Sequence, residues 1–349
     1  MSTDGAGSNE LSRLNPKYPA CDKEFLYDDC LWTSWTSLDI IARVDKQFLF
    51  RSDDVIIAGY GKCGNTLLGE MLWILHQSRA QSEESVQRAI GSASASTIYS
   101  RIPFLEMNYV IDFKPIAGEM LPIDFLEKHA SSQRFIKTHL PIELLERAFQ
   151  RQERSDPEFS RPVIVLTIRN PKDTAVSMYN FYRIAEEYSY KSSWDDFFEM
   201  WTDGWIVGGD YRIIYKQWAE YYTKNKPKKL ITIVSFEDCV LNPEKVLVQL
   251  CDFFAFQKPQ DADKEIIFAP IIRHTRFDTM KDNEMVNYTT MEGFNDSGNF
   301  MRKGQVGDWR NWYTDQQNQV HETHYDDTEY QLEQIFGFAS SLYTKPTKP

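Results

Sequence analysis

The segment Val55-Ile56-Ile57-Ala58-Gly59-Tyr60-Gly61-Lys62-Cys63-Gly64-Asn65-Thr66-Leu67-Leu68 decides how the chain is read. Four apolar residues in a row suit a strand buried on both faces of a parallel sheet. A glycine-rich turn follows. Leu67, Leu68, Met71, Leu72 and Leu75 then fall at helical spacing. Glycines let a backbone wrap an anion, and the helix N-terminus offers free N–H groups with a favourable dipole. Gly59 and Gly64 are spaced as in a nucleoside-triphosphate loop, but Asn65 stands where that loop carries its lysine, and Lys62 lies earlier. A phosphate loop for another ligand fits better; an ordinary strand–helix turn with an exposed lysine is the competing reading.

Working outward, further β-rich runs cover Arg134–Lys137, Val163–Ile168 and Leu230–Val234. Asn170-Pro171-Lys172-Asp173 reads as a helix start, with Asn as cap and Pro at the first helical position. Repeated strand-then-helix units predict an α/β fold: a single domain whose central, mainly parallel sheet is flanked by helices, with ligands beyond the carboxyl ends of the strands. Residues 1–40 read as a tail and irregular segment, and 41–345 as the α/β domain. Within it, 77–98 reads as a polar flap and 150–160 as an exposed loop.

The chain has 349 residues, with 39 Lys and Arg against 51 Asp and Glu, giving a net charge of −12. Such an excess of acid argues against nonspecific binding to nucleic acid or an anionic membrane. No apolar run reaches the ~20 residues of a membrane helix, and the start lacks a signal-peptide pattern. Cys21, Cys30, Cys63, Cys239 and Cys251 are few and lack CxxC spacing, so neither a disulfide framework nor a cysteine zinc site is expected. A cytoplasmic protein is the expectation.

Cations gather at the predicted strand ends. Lys137 and His139 alternate onto one side before Pro141. Arg169 ends the next strand, with Ser177 on the helix beyond, and Arg302-Lys303-Gly304 forms a compact basic element. A fork-shaped guanidinium suits a phosphate, and an imidazole suits an acid–base step. Each could instead be structural: a core histidine, a paired arginine, a solvated basic pair. Together they describe cations converging on a doubly phosphorylated ligand, with no acidic metal cluster beside them.

At this point the chain resembles the cytosolic sulfotransferase family. The loop from Tyr60 to Thr66 is similar to the family's phosphosulfate loop, YPKSGTTW. RxPFLE (101–106), KTHLP (137–141), RNPKDxAVS (169–177), HTxFxxMKxN (274–283), NYTT (287–290) and FMRKGxxGDW (300–309) follow in family order. The resemblance covers about Gln47 to Thr314. It implies 3′-phosphoadenosine-5′-phosphosulfate (PAPS) as donor, PAP as product, no metal, and transfer of the sulfuryl group to a hydroxyl or amine.

The resemblance also implies roles. His139 is the general base, Lys62 acts on the leaving phosphate oxygen, and Lys137 on the transferring group. Ser177 completes the catalytic set and binds the 3′-phosphate with Arg169, Arg302, Lys303 and Gly304. Cys63, Gly64, Asn65, Thr66, Leu67, Phe236, Thr275, Phe277, Met280, Phe300 and Met301 complete the donor site. The chain departs from the family at Leu67, where a tryptophan stacks on adenine, at Phe236, where the motif is YED, and at Gly61, Cys63 and Asn65. The dimer motif KxxxTVxxxE is reduced to Arg310, Thr314, Asp315 and Gln319, which argues against dimerisation by that route.

The implied acceptor is a small hydrophobic alcohol, phenol or steroid-like molecule. It would lie near 77–98, Phe104 to Tyr109, and the aromatic region of Tyr179, Phe181, Trp201 and Trp205, unless those aromatics are core. A dehydratase acting through sulfonation and a non-catalytic PAP-binding protein are the alternatives; a small-molecule kinase is disfavoured by Asn65.

Overall fold

A computed structural model describes residues 17–18, 24–129, 133–188, 190–289, 291, 293–294 and 298–324. A hairpin of β1 (Phe25–Tyr27) and β2 (Cys30–Trp32) leads through α1 (Leu38–Lys46) to β3 (Val55–Ala58). Helices α2 (Asn65–Ser78), α3 (Glu83–Ser94) and α4 (Ile98–Arg101) follow, then the small pair β4 (Ile111–Asp112) and β5 (Glu119–Met120) and helix α5 (Pro122–Lys128). Next come β6 (Phe135–Thr138), α6 (Ile142–Ser155), β7 (Val163–Ile168), α7 (Pro171–Ile184), α8 (Trp194–Thr202) and α9 (Tyr211–Asn225). After them come β8 (Ile231–Ser235), α10 (Phe236–Leu241), α11 (Pro243–Phe253), α12 (Lys264–His274) and α13 (Phe277–Lys281).

The central sheet runs β6-β3-β7-β8, and every pairing is parallel. β3 is buried along its whole length because one apolar cluster covers each sheet face. That explains its lack of polar alternation. At the amino ends, Asp54 and Arg134 form a buried ion pair at 2.5 and 2.7 Å, joining β3 to β6 where Val55 N–H donates to the Arg134 carbonyl. Removing one member strands the other charge in the core. Asp54→Ala is therefore expected to cost about 3–5 kcal/mol of stability in chemical denaturation.

Three expectations are corrected. Residues 77–98 form no loose flap: Ser82 and Ser85 cap α3 reciprocally, and α3 buries Val86, Ala89 and Ala93 against α2 and α12. Residues 150–155 continue α6, where Gln152 is buried and bonds both the N–H and the carbonyl of Phe50, so only 156–160 is a loop. Residues 24–40 are not irregular tail, since they carry β1 and β2, Leu31 and Trp32 are in the core, and α1 spans the expected boundary. Residues 1–16, 19–23 and 325–349, with Cys21 and the expected end at 345, lie outside the described residues.

Candidate active site

The carboxyl ends of β3, β6 and β7 open into a cavity of roughly 490 Å³. Its floor is the turn between β3 and α2. Lys62 takes a left-handed φ of 69° and Gly64 one of 94°, which lets the chain reverse and present the start of α2. A Cβ on Gly64 would sit 2.8 Å from the Phe236 ring, so the close approach requires glycine. Lys62, Lys137, Arg169, Arg302 and Lys303 all line this one cavity, as do His139 and Ser177.

His139 follows β6 directly. Its Nδ1 lies 2.6 Å from the Gly59 carbonyl. A carbonyl only accepts, so Nδ1 carries the proton and Nε2 keeps its lone pair. Behind the ring, buried Glu106 accepts from the His139 backbone N–H at 2.5 Å and from Thr138 Oγ1 at 2.9 Å. Burial pushes this carboxyl up to about 7. Burial, aided by the charge of Lys137, lowers the imidazole to about 3, so the ring is neutral at pH 7. Phe104 meets the imidazole edge-on at 4.9 Å and lies 4.4 Å beneath the Lys137 ammonium.

The Lys62 ammonium sits between two aromatic faces, 3.8 Å from the Phe300 centroid and 4.4 Å from that of Phe181. Burial, with the neighbouring charges of Lys137, Arg169 and Arg302, lowers its pKa well below the usual lysine value. Arg169 lies 4.1 Å over Phe236, and one of its Nη atoms donates to the Lys62 carbonyl at 3.0 Å. Its Nε is buried with no hydrogen-bond partner. Arg302 and Lys303 are held by Asp308 at 2.5 and 2.6 Å. Asp173 in turn accepts from the backbone N–H groups of Gly307 and Trp309, fixing this arm to the start of α7. Gly304 packs so tightly on Phe277 that a Cβ would come within 2.2 Å of the ring.

Gly64, Asn65, Thr66, Leu67, Phe236, Thr275, Phe277, Met280, Phe300, Met301 and Gly304 all line the cavity. Cys63 does not. Its side chain turns into the core towards Thr174, 3.7 Å away, and burial pushes the thiol up to about 11. The acceptor region is also revised. Phe104, Met107, Tyr109 and Phe181 line the cavity, but no residue of 77–98 does, nor do Tyr179, Trp201 and Trp205. Trp201 is core beside Tyr60, and Tyr179 packs among Trp194, Phe197 and Trp312.

Two contributions escaped the motifs. Trp32 and Trp35 from the N-terminal segment wall the cavity, with Trp35 stacked 5.2 Å from Phe104. No periodicity announces them, because β2 is only three residues long. Tyr288 lies in the quoted NYTT motif, whose Thr290 lies outside the described residues. The Tyr288 hydroxyl is 3.5 Å from Lys137 Nζ and 3.3 Å from Thr66 Oγ1, placed there by a left-handed backbone.

The fold and this cavity define an α/β enzyme scaffold with a phosphate-type loop, a converging cationic wall and a neutral histidine. The sulfotransferase domain model matches residues 52–335. Sulfotransferase 1A1 of Rattus norvegicus is 31% identical over 283 residues, covering 80% of this chain and 86% of that one. Cytosolic sulfotransferase 1 of Danio rerio is 32% identical over 275 residues, 78% and 82% of the two chains. The chain belongs to the sulfotransferase family. Among solved structures, mouse sulfotransferase SULT7A1 complexed with PAP aligns with a TM-score of 0.63 at 23% identity over 88% of this chain and 95% of that one. Retinol dehydratase in complex with androsterone and PAP aligns at 0.68 and 18% identity, over 93% and 94%. At these identities the likeness shows the fold.

Among the described residues, no group of three or more His, Cys, Asp or Glu side chains could hold a metal, and no helix is long and apolar enough to cross a membrane.

Proposed function

We propose that this chain transfers a sulfuryl group from PAPS to a hydroxyl or amine of a small hydrophobic acceptor, with His139 as general base. The observation that carries the reading is one cavity uniting a neutral imidazole, its Nε2 lone pair free of the Gly59 bond, with Lys62, Lys137, Arg169, Arg302 and Lys303. The orphaned Nε of Arg169 suits a phosphate-bearing ligand. Arg169, Ser177, Arg302 and Lys303 would hold the 3′-phosphate. Thr66 and the start of α2 would hold the 5′ end, and Leu67, Phe236, Thr275, Phe277 and Met280 the adenine.

The donor supplies the sulfuryl group. His139 Nε2 takes the acceptor's proton, and its Nδ1–H, tied to Gly59, keeps the ring from turning. Lys62 and Lys137 offset negative charge on oxygens at the cavity floor. Fixed cations of this kind act without reorganising. Phe104, Trp35, Trp32 and Met107 shield the base from water and suit a flat, apolar acceptor. A cytoplasmic location belongs to the same reading, in line with the name of the zebrafish relative. Arg310, Thr314, Asp315 and Gln319 are exposed, and assembly through them is not part of it.

The test is thermal unfolding with PAP, ADP and ATP, with and without Mg²⁺. PAP at about 100 times its dissociation constant should add ~2.7 kcal/mol and raise the melting temperature without metal. A protein that responds to ATP with Mg²⁺ and not to PAP would overturn the reading.

A further inference from the structure

Asn65 is a departure from the family loop whose side chain does not behave as a donor ligand. It opens α2, yet its side chain turns back towards the sheet. Oδ1 accepts from Thr167 Oγ1 on β7 at 2.5 Å, and Nδ2 donates to the Tyr60 carbonyl at 3.1 Å. The second bond fixes which way round the amide lies, since the opposite assignment would set two carbonyl oxygens against each other.

Gly59 lies directly on this pair. A Cβ there would meet Thr167 Oγ1 at 2.1 Å and Asn65 Oδ1 at 3.2 Å. The turn is thus held by Asn65 at the Tyr60 carbonyl and by the close packing of Asn65 and Thr167 on Gly59, with Tyr215 accepting from the Tyr60 N–H, while the Gly59 carbonyl takes the proton of His139 Nδ1. The Asn65 amide nitrogen also packs 3.4 Å from Nδ1. With Nδ1 already donating to Gly59, the two nitrogens do not bond; the amide acts as a stop against the ring edge. Threonine offers a single hydroxyl oxygen in place of the amide's separate acceptor and donor atoms.

We propose that the Asn65 side chain is a positioning residue for His139, clamping the Gly59–Tyr60 turn that sets the imidazole tautomer, while only the Asn65 backbone serves the donor loop. This rests on the base role proposed above for His139. The groups facing the imidazole are Lys62 and Lys137 across the cavity, Glu106 behind its backbone and Phe104 at its edge. None of them replaces Asn65 at the turn.

The experiment uses the full chain and long-range ¹H–¹⁵N spectra of the histidine rings at pH 7, with the His139 signals assigned by their loss in His139→Ala. The wild type should show His139 as the Nδ1–H tautomer. In Asn65→Ala the tautomer ratio should move by about fivefold towards Nε2–H, the effect of loosening one hydrogen bond. PAP affinity should stay within about twofold, since a backbone contact is retained. Asn65→Thr, which places the family's own residue in the loop, should show the same direction and guards against a folding defect in the alanine variant. An unchanged His139 tautomer in both variants overturns the proposal, and a PAP affinity at least tenfold weaker with that tautomer unchanged would make Asn65 a donor ligand instead. Failure of the base reading shows elsewhere, as turnover that survives His139→Ala.

Discussion

Turnover in His139→Ala is expected to fall by about 10²–10⁴-fold, the usual contribution of a positioned general base. PAP binding should be retained, because the phosphate-binding cations lie on other elements. The ring's neutrality adds a second readout. A base works in its unprotonated form, so a lowered pKa extends its working range downward in pH. In the free enzyme the imidazole, lowered to about 3, should show no protonation between pH 5 and 8 when its ring nitrogens are titrated by NMR. The acid limb of kcat/KM, which reports free-enzyme groups, should likewise lie well below the ordinary histidine value of about 6.5. Retained turnover in His139→Ala, or a titration near that ordinary value, would count against the assignment.

Lys62→Met should lower kcat by about 10²–10³-fold, corresponding to about 2.7–4 kcal/mol of lost charge stabilisation. Methionine keeps much of the apolar stem between Phe181 and Phe300, so packing changes little and the loss isolates the ammonium. Arg169 bonds the Lys62 carbonyl rather than its side chain, so the guanidinium stays in place. PAP stabilisation of the variant should survive, with the defect concentrated in kcat. A variant with unchanged kcat and weaker substrate binding alone would reduce Lys62 to a binding residue.

Much of the architecture was legible because its signals are local. β3 and β7 read correctly because burial on both sheet faces leaves unbroken apolar runs, and the turn from β3 into α2 because its reversal at Gly64 needs glycine. The reading of 77–98 failed for a physical reason: α3 buries Val86, Ala89 and Ala93, whose small volumes hide a helical face amid serines. Residues 150–155 look like a loop by charge, yet the charges belong to the solvent side of α6 while Gln152 faces inward.

Within the site, the cations and His139 announced themselves as motif residues at strand ends. The contributions of Trp35, Tyr288 and Asn65 depend on long-range neighbours: Phe104 for the first, Lys137 and Thr66 for the second, Thr167 for the third. Such partners lie tens to hundreds of residues away, and no window of sequence contains them. Cys63 shows a converse limit, since a loop motif fixes the backbone path without saying which side chains turn into the core.

The pairing of Arg302 and Lys303 with Asp308 means that the protein carries its own counter-ion beside these two cations. The carboxylate is held far below its usual pKa by these partners, so it stays charged across the whole physiological range. On the proposed donor site, an incoming phosphate would exchange with a tethered rival instead of meeting bare cations. Affinity there would be a difference between two strong attractions, and release of the spent nucleotide would be assisted by a group that re-forms its own bonds as the ligand leaves.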